Sequence, residues 1–287
     1  MDHCIYCWLE NQPGNVQFSW LQKQLEELQE AHMLRGQLSA SEQLALLSSH
    51  DDLPQALEGA FFVQESVFEE IEAKQSVFQV VESHVGEGVI LSSSTSCLLP
   101  SNVFSRLQNR KRCIISHPVN PPYYVRLVEL VPHPETLPGV MDTTYALMTA
   151  VGQAPVRLKK EIDGFALNRV QYAIIAESWR LVKDGVISVK DIDLVMSEGL
   201  GMRYAFIGPM ETMHLNAPEG LEDYLQRYRE GMRSVLTAFG PVPEFSGEAA
   251  ERINKEMCEL IPADPQHLSA RREMRDQLLM GLAKLKK

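Results

Sequence analysis

Four residues between positions 91 and 168 are of types that together can take a proton from an alcohol. They are Ser96 in Ser-Ser-Ser-Thr-Ser-Cys, His117 in Ser-His-Pro-Val-Asn-Pro-Pro, Glu129 in Leu-Val-Glu-Leu-Val and Asn168 in Gly-Phe-Ala-Leu-Asn-Arg. A secondary alcohol releases a hydride only if its O–H proton leaves too. Histidine, whose free side chain titrates at about 6.5, suits that acceptance near neutral pH. Glu129 follows His117 by twelve positions (129 − 117). A carboxylate there can bond the other ring nitrogen and stabilise the imidazolium, as the acid of a Ser-His-Asp triad does. Ser96 and Asn168 are hydrogen-bonding groups for the reacting oxygen. Singly, each has a plainer reading: Ser96 as a helix cap, His117 as a satisfied loop histidine, Glu129 as the partner of a surface arginine. A Ser-His-Glu hydrolase is disfavoured, because Ser96 lacks the G-x-S-x-G elbow that exposes a nucleophile.

These residues must be positioned by the elements around them. Strand-like runs at 60–64, 89–92, 113–116, 125–131 and 155–158 alternate with helical periods at 69–82, 98–107 and 143–151. That alternation predicts an α/β domain with a largely parallel sheet covered on both faces. Such sheets bind ligands beyond the carboxyl ends of their strands, where Ser96 and His117 fall. Residues 1–20 show no clear period, 12–15 read as a turn, and a helical pattern starts at Ser19 and stops near Gly36. After Gly164 the strands end. A long amphipathic helix at 165–183 is followed by one at 188–197, capped by Ser188, then by a glycine-bearing loop at 199–208 and further helices. The boundary between the two domains is expected near Lys160.

Composition narrows the function classes. With a net charge of −11, the chain lacks the basic stripe that nucleic-acid binding needs. The basic clusters at 110–112 and 284–287 read as solvated surface. No run of about 18 apolar residues is present, so no membrane span is expected, and the first residues do not resemble a signal peptide. Five cysteines, an odd number at irregular spacing, fit free thiols in a reducing compartment, so the cytoplasm is expected. Cys4 and Cys7 form a lone C-x-x-C without a second ligand pair, and no metal is expected.

The contexts S-x-T-S, H-P-x-N-P, L-V-E and G-F-x-x-N-R around the four residues resemble the 3-hydroxyacyl-CoA dehydrogenase superfamily, and more narrowly its L-gulonate 3-dehydrogenase branch. The stretches S-S-S-T-S-C-L, L-V-E-L-V-P-H-P-E-T and S-E-G-L-G-M-R-Y-A-F-I-G-P carry the likeness, which spans roughly residues 25–287. It implies NAD as cofactor, a small 3-hydroxy acid such as L-gulonate as substrate, and a homodimer formed through the helical domain. It gives His117, Glu129, Ser96 and Asn168 the roles reasoned above. It also matches Glu69 and Lys74 to an E-x-x-x-x-K motif that contacts NAD, although alone they read as an exposed helix pair. Phe68 stands where the resembled branch has proline. A carboxylate substrate needs a cation, and Arg203 in the 199–208 loop is the candidate, with an interface or loop-bracing role as its plainer reading.

One part of the family pattern is missing. A strand, G-x-G-x-x-G and helix should open the chain, but after Gly14 no glycine arrives before Gly36. The expectation is a divergent tail at 1–20, an incomplete NAD-binding Rossmann-like domain at 21–160 and a helical domain at 161–287. In fold class this is a truncated Rossmann-like parallel-sheet domain followed by an all-α C-terminal domain. Two functions follow: an NAD-dependent 3-hydroxyacid dehydrogenase, or a crystallin-like structural, dimerising chain that holds NAD weakly or not at all.

Overall fold

A computed structural model describes residues 14–286, with side chains from Ser19 onward. The Cys4–Cys7 pair lies outside the described residues. The chain divides into two compact units: residues up to Arg169 together with Leu279–Lys284, and Val170–Leu278.

The first unit opens with three helices, α1 (Gly14–Glu30), α2 (Ala40–Leu44) and α3 (Leu53–Leu57). The expected turn at 12–15 is in part helical, since Gly14 and Asn15 already belong to α1. At α2 the Ser39 hydroxyl accepts from the Glu42 N–H while the Glu42 carboxylate accepts from the Ser39 N–H, a reciprocal cap. A five-stranded sheet follows, made of β1 (Phe62–Glu65), β2 (Ile90–Ser93), β3 (Cys113–Pro118), β4 (Leu127–Pro132) and β5 (Ala154–Arg157), in spatial order β1-β2-β3-β4-β5. All neighbours are parallel except β3 and β4, which form an antiparallel hairpin. The mostly parallel sheet is as expected; the hairpin is the added feature, and it places His117 directly opposite Glu129.

Three helices cover the sheet: α4 (Ile71–His84), α5 (Pro100–Val103) and α6 (Pro138–Ala150). On one face Phe78 and Val81 of α4 and Val103 of α5 pack with Leu91, Cys113, Ile115 and Val131 from the strands. On the other face Ile90, Ile114, Val128 and Leu130 meet Val140, Met141, Tyr145 and Met148 of α6. Adjacent strand residues thus point to opposite layers, which is why the strands read as continuous apolar runs. Phe78 is fully buried edge-on to Phe104, with ring centroids 5.0 Å apart; burying such a ring stabilises by about 1.5–3 kcal/mol. The helix expected over 98–107 is only four residues long. Pro100 sets its start, and near its end the Gln75 amide donates to Asn102 O and Ser105 Oγ.

The second unit is helical. It contains most of α7 (Leu167–Lys183), then α8 (Val189–Leu194), α9 (Gly201–Tyr204), α10 (Pro209–Leu215), α11 (Leu221–Thr237), α12 (Gly247–Leu260) and the greater part of α13 (Pro265–Leu285). A six-residue π turn, Val195–Leu200, joins α8 to α9, so the expected loop at 199–208 is helical as far as Tyr204. Gly201 permits this: a Cβ there would lie 2.6 Å from Met196 O. Glycine here makes room for a bulged helix rather than ending one.

Candidate active site

His117 stands next to last in β3, and Glu129 is its cross-strand partner in β4. Residues opposite each other in an antiparallel pair project to the same face. His117 Nδ1 and Glu129 Oε2 are 2.9 Å apart, and both side chains are buried. Glu129 bonds twice more. Its Oε1 accepts the backbone N–H groups of Ala166 and Leu167, each at 2.9 Å. Burial pushes the Glu129 carboxyl up, but the His117 bond and the two backbone donors outweigh it and hold the group below the usual carboxylate range.

The backbone N–H groups reach Glu129 because the chain turns sharply before α7. Gly164 and Phe165 both have positive φ, 72° and 50°. Phe165 is fully buried and packs edge-on to the His117 ring at 5.8 Å between centroids. A non-glycine residue in this region persists only where its surroundings determine it; here the apolar core and Glu129 both do. Asn168 is the second residue of α7, and its Nδ2 donates to the Ser96 carbonyl at 2.8 Å. The four residues are thereby linked: His117 to Glu129, Glu129 to the start of α7, and α7 through Asn168 to Ser96. The Ser96 residue itself is exposed beyond the end of β2. With Nδ1 engaged by Glu129, the other His117 ring nitrogen is the one available to a substrate.

Glu69 and Lys74 are not an exposed helix pair. Lys74 is 1% exposed, and its ammonium meets Glu65 Oε1 at 2.9 Å, Val67 O at 3.0 Å and Glu69 Oε2 at 3.2 Å. Three acceptors use all three of its N–H donors. Glu69 in turn accepts from the Thr95 hydroxyl at 2.6 Å and the Ser96 N–H at 2.7 Å. Burial raises the Glu69 carboxyl, while these two bonds and the Lys74 charge more than offset it and lower it overall. The pair therefore shapes the turn that carries Ser96. Glu65, missed in the sequence, completes the cluster by accepting from the Ser93 hydroxyl and the Val67 N–H. No local pattern in the sequence marks it, because Glu65 closes a strand of two apolar and two polar residues. Replacing Lys74 with methionine leaves Glu65 buried without its counter-charge. We expect a loss of about 3–5 kcal/mol, the usual cost of breaking such a pair, seen as a clear fall in Tm. An unchanged Tm would show that the ion pair is not needed.

Arg203 lies in α9 of the second unit, exposed to solvent, and its guanidinium makes no hydrogen bond or ion pair among the described residues. The loop-bracing reading is therefore unsupported within that unit. Among the described residues no group of three or more His, Cys, Asp or Glu side chains is arranged to hold a metal ion. No described helix is long and apolar enough to cross a membrane.

A dinucleotide needs a polar place for its reacting ring and an anion cradle for its pyrophosphate. The carboxyl ends of β1, β2 and β3 supply the first, with Ser94, Thr95 and Ser96 beside His117's strand. The second requires free backbone N–H groups at a helix start. Here Glu69 takes the Ser96 N–H, and the Glu161 carboxylate takes the Ser101 N–H at the start of α5, 2.8 Å away. The start of α4 carries Glu70 and Glu72. These residues fit the reacting end of NAD, and the acidic groups at the α4 and α5 starts leave those two helix starts poorly suited to its pyrophosphate.

Comparison with known proteins identifies the family. Residues 15–162 match the 3-hydroxyacyl-CoA dehydrogenase NAD binding domain, and residues 164–254 match the C-terminal domain of the same enzymes. Lambda-crystallin of Oryctolagus cuniculus is 58% identical over 267 residues, 93% of this chain and 83% of that protein. A lambda-crystallin homolog of Homo sapiens is 57% identical over 266 residues, with the same coverage. L-carnitine dehydrogenase of Streptomyces coelicolor is 32% identical, covering 76% of this chain and 66% of that protein. The crystal structure of an NAD+-dependent dismutase, a 5-dehydrogenase of a formyl-hydroxypyridine carboxylic acid, shares the fold. Its TM-score is 0.82 at 22% identity, and the match covers 98% of this chain and 89% of that one. The chain belongs to the 3-hydroxyacyl-CoA dehydrogenase family, NAD-dependent oxidoreductases that act on CH–OH groups.

Proposed function

We propose that this chain oxidises the C3 hydroxyl of a small 3-hydroxy acid of the L-gulonate type, with the His117–Glu129 pair as the base. The observation that carries this is the buried 2.9 Å bond between His117 Nδ1 and Glu129 Oε2, which holds the ring and leaves its other nitrogen unengaged by Glu129. His117 takes the hydroxyl proton, Glu129 stabilises the resulting imidazolium, and Ser96 and Asn168 hold the oxygen. Bound NAD would accept the hydride. Glu69 and Lys74 support the cofactor side by holding the Ser96 turn, and Arg203 is the candidate cation for the substrate carboxylate. The domain limits we propose lie near residues 20 and 160. A homodimer through the helical unit fits the exposed Val170, Tyr172 and Ile175 on α7. The cytoplasm is the proposed compartment.

A second reading, a crystallin-like chain without turnover, is favoured by one feature. The Ser101 N–H at the start of α5 is already taken by Glu161, and the Ser96 N–H of the turn before it by Glu69. Purified protein incubated with L-gulonate and NAD separates the two. Saturable appearance of NADH absorbance is the expected result. No NADH, together with no heat of NAD binding by calorimetry, would establish the structural reading instead.

A further inference from the structure

The loop that follows His117 is held by an arginine far away in sequence. Arg35 lies in the turn between α1 and α2. One terminal nitrogen donates to Val151 O at 2.9 Å and to Gln153 Oε1 at 3.0 Å. The other donates to Pro122 O at 3.3 Å and Tyr123 O at 3.2 Å. The guanidinium thus joins two segments: the 119–126 connection of the β3–β4 hairpin, and the turn leading from α6 into β5. Gln153 adds a bond from its Nε2 to Pro122 O at 3.4 Å, and Arg126 Nε reaches Gly152 O at 2.9 Å.

The clamp has a firm base. Gln43 Nε2 donates to Arg35 O at 2.8 Å, and Gln29 Oε1 accepts the Ala40 N–H at 2.7 Å. Its far side is fitted to the arginine too: Gly152 has φ +84°, and a Cβ there would lie 3.1 Å from Arg35 Cδ. A planar fork of donors suits this task, and lysine, a compact cation on a flexible stem, cannot span the same four acceptors. Without the arginine the Pro122 and Tyr123 carbonyls lose a charge-assisted partner.

The clamped loop begins immediately after Pro118, at the carboxyl end of β3 and next to the site's base, where a ligand of this kind of sheet sits. We propose that Arg35 is a positioning residue that sets the 119–126 loop against the bound hydroxy acid. This rests on the dehydrogenase reading above, and the test separates the two.

Hydrogen–deuterium exchange is followed over 119–126 in the unaltered chain and in Arg35→Met, Arg35→Lys and Gly152→Ala, with L-gulonate oxidation assayed in parallel. Arg35→Met is expected to raise exchange in this loop at least tenfold and to raise KM about tenfold, while kcat changes less than threefold and its pH dependence keeps its shape. Arg35→Lys should fall between the two, and Gly152→Ala, which crowds the arginine from the other side, should loosen the same loop. The lysine and alanine variants decide the matter if the methionine variant does not fold. Unchanged loop exchange overturns the clamp, and faster exchange with unchanged KM overturns its role toward substrate. If the unaltered chain shows no turnover, the dehydrogenase reading falls, and the clamp stands or falls on exchange alone.

Discussion

His117→Gln is expected to lower kcat for hydroxy-acid oxidation by about a hundred- to ten-thousandfold, the range attributed to a positioned general base. Glutamine is close to the imidazole in reach, and its amide can still donate to Glu129 Oε2. It cannot accept a proton in the transition state. KM should change little, because in the proposed site Ser96 and Asn168 still hold the oxygen. The comparison requires that Tm stay close to that of the unaltered chain, so that the loss belongs to chemistry and not to unfolding. Loss of less than tenfold in kcat, measured by NADH absorbance, would remove His117 from the reaction.

The second large effect is at Glu129, where activity and stability fall together. Glu129→Ala removes the acceptor of three donors: the His117 ring and the N–H groups of Ala166 and Leu167. Each unsatisfied buried donor costs about 1–3 kcal/mol, so a loss of several kcal/mol is expected, with kcat reduced on the order of a hundredfold or more. Glu129→Gln keeps one carbonyl acceptor and should be milder in stability than in rate. The pH dependence has a definite sign. The Glu129 carboxyl is lower in the folded chain than in the unfolded one. Its contribution is therefore complete above the unfolded carboxylate's value, about 4.3, and is lost as pH falls through the folded value. Acid unfolding followed by circular dichroism should show this contribution in the unaltered chain and not in Glu129→Gln. Identical acid profiles would sink the assignment.

Much of this candidate site is legible in the sequence. His117 and Glu129 sit in strand-like runs, Ser96 just past another and Asn168 in the first turn of a clear helix, so local pattern and chemistry pointed the same way. What was not legible depends on long-range packing. Lys74 reads as a surface residue, because nothing in the sequence reveals that Glu65, nine residues earlier, turns inward to meet it. Arg35 carries no motif, and its partners lie 87 to 118 positions away. The 199–208 stretch differs from its expected loop for a local reason: glycine usually breaks helices, and here Gly201 accommodates a bulged one. The hairpin between β3 and β4 was hidden because both strands are buried on both faces, which erases the alternation that distinguishes antiparallel pairs.

That hairpin has a consequence for how the chain can vary. The alignment that sets His117 opposite Glu129 also pairs Ser116 with Leu130 and Ile115 with Val131. A slip of one residue would cost little in apolar burial, since both strands are buried throughout their middles. It would, however, turn the carboxylate to the opposite face of the sheet. In the proposed mechanism proton transfer depends on this one alignment, and turnover would report strand registration as much as chemistry.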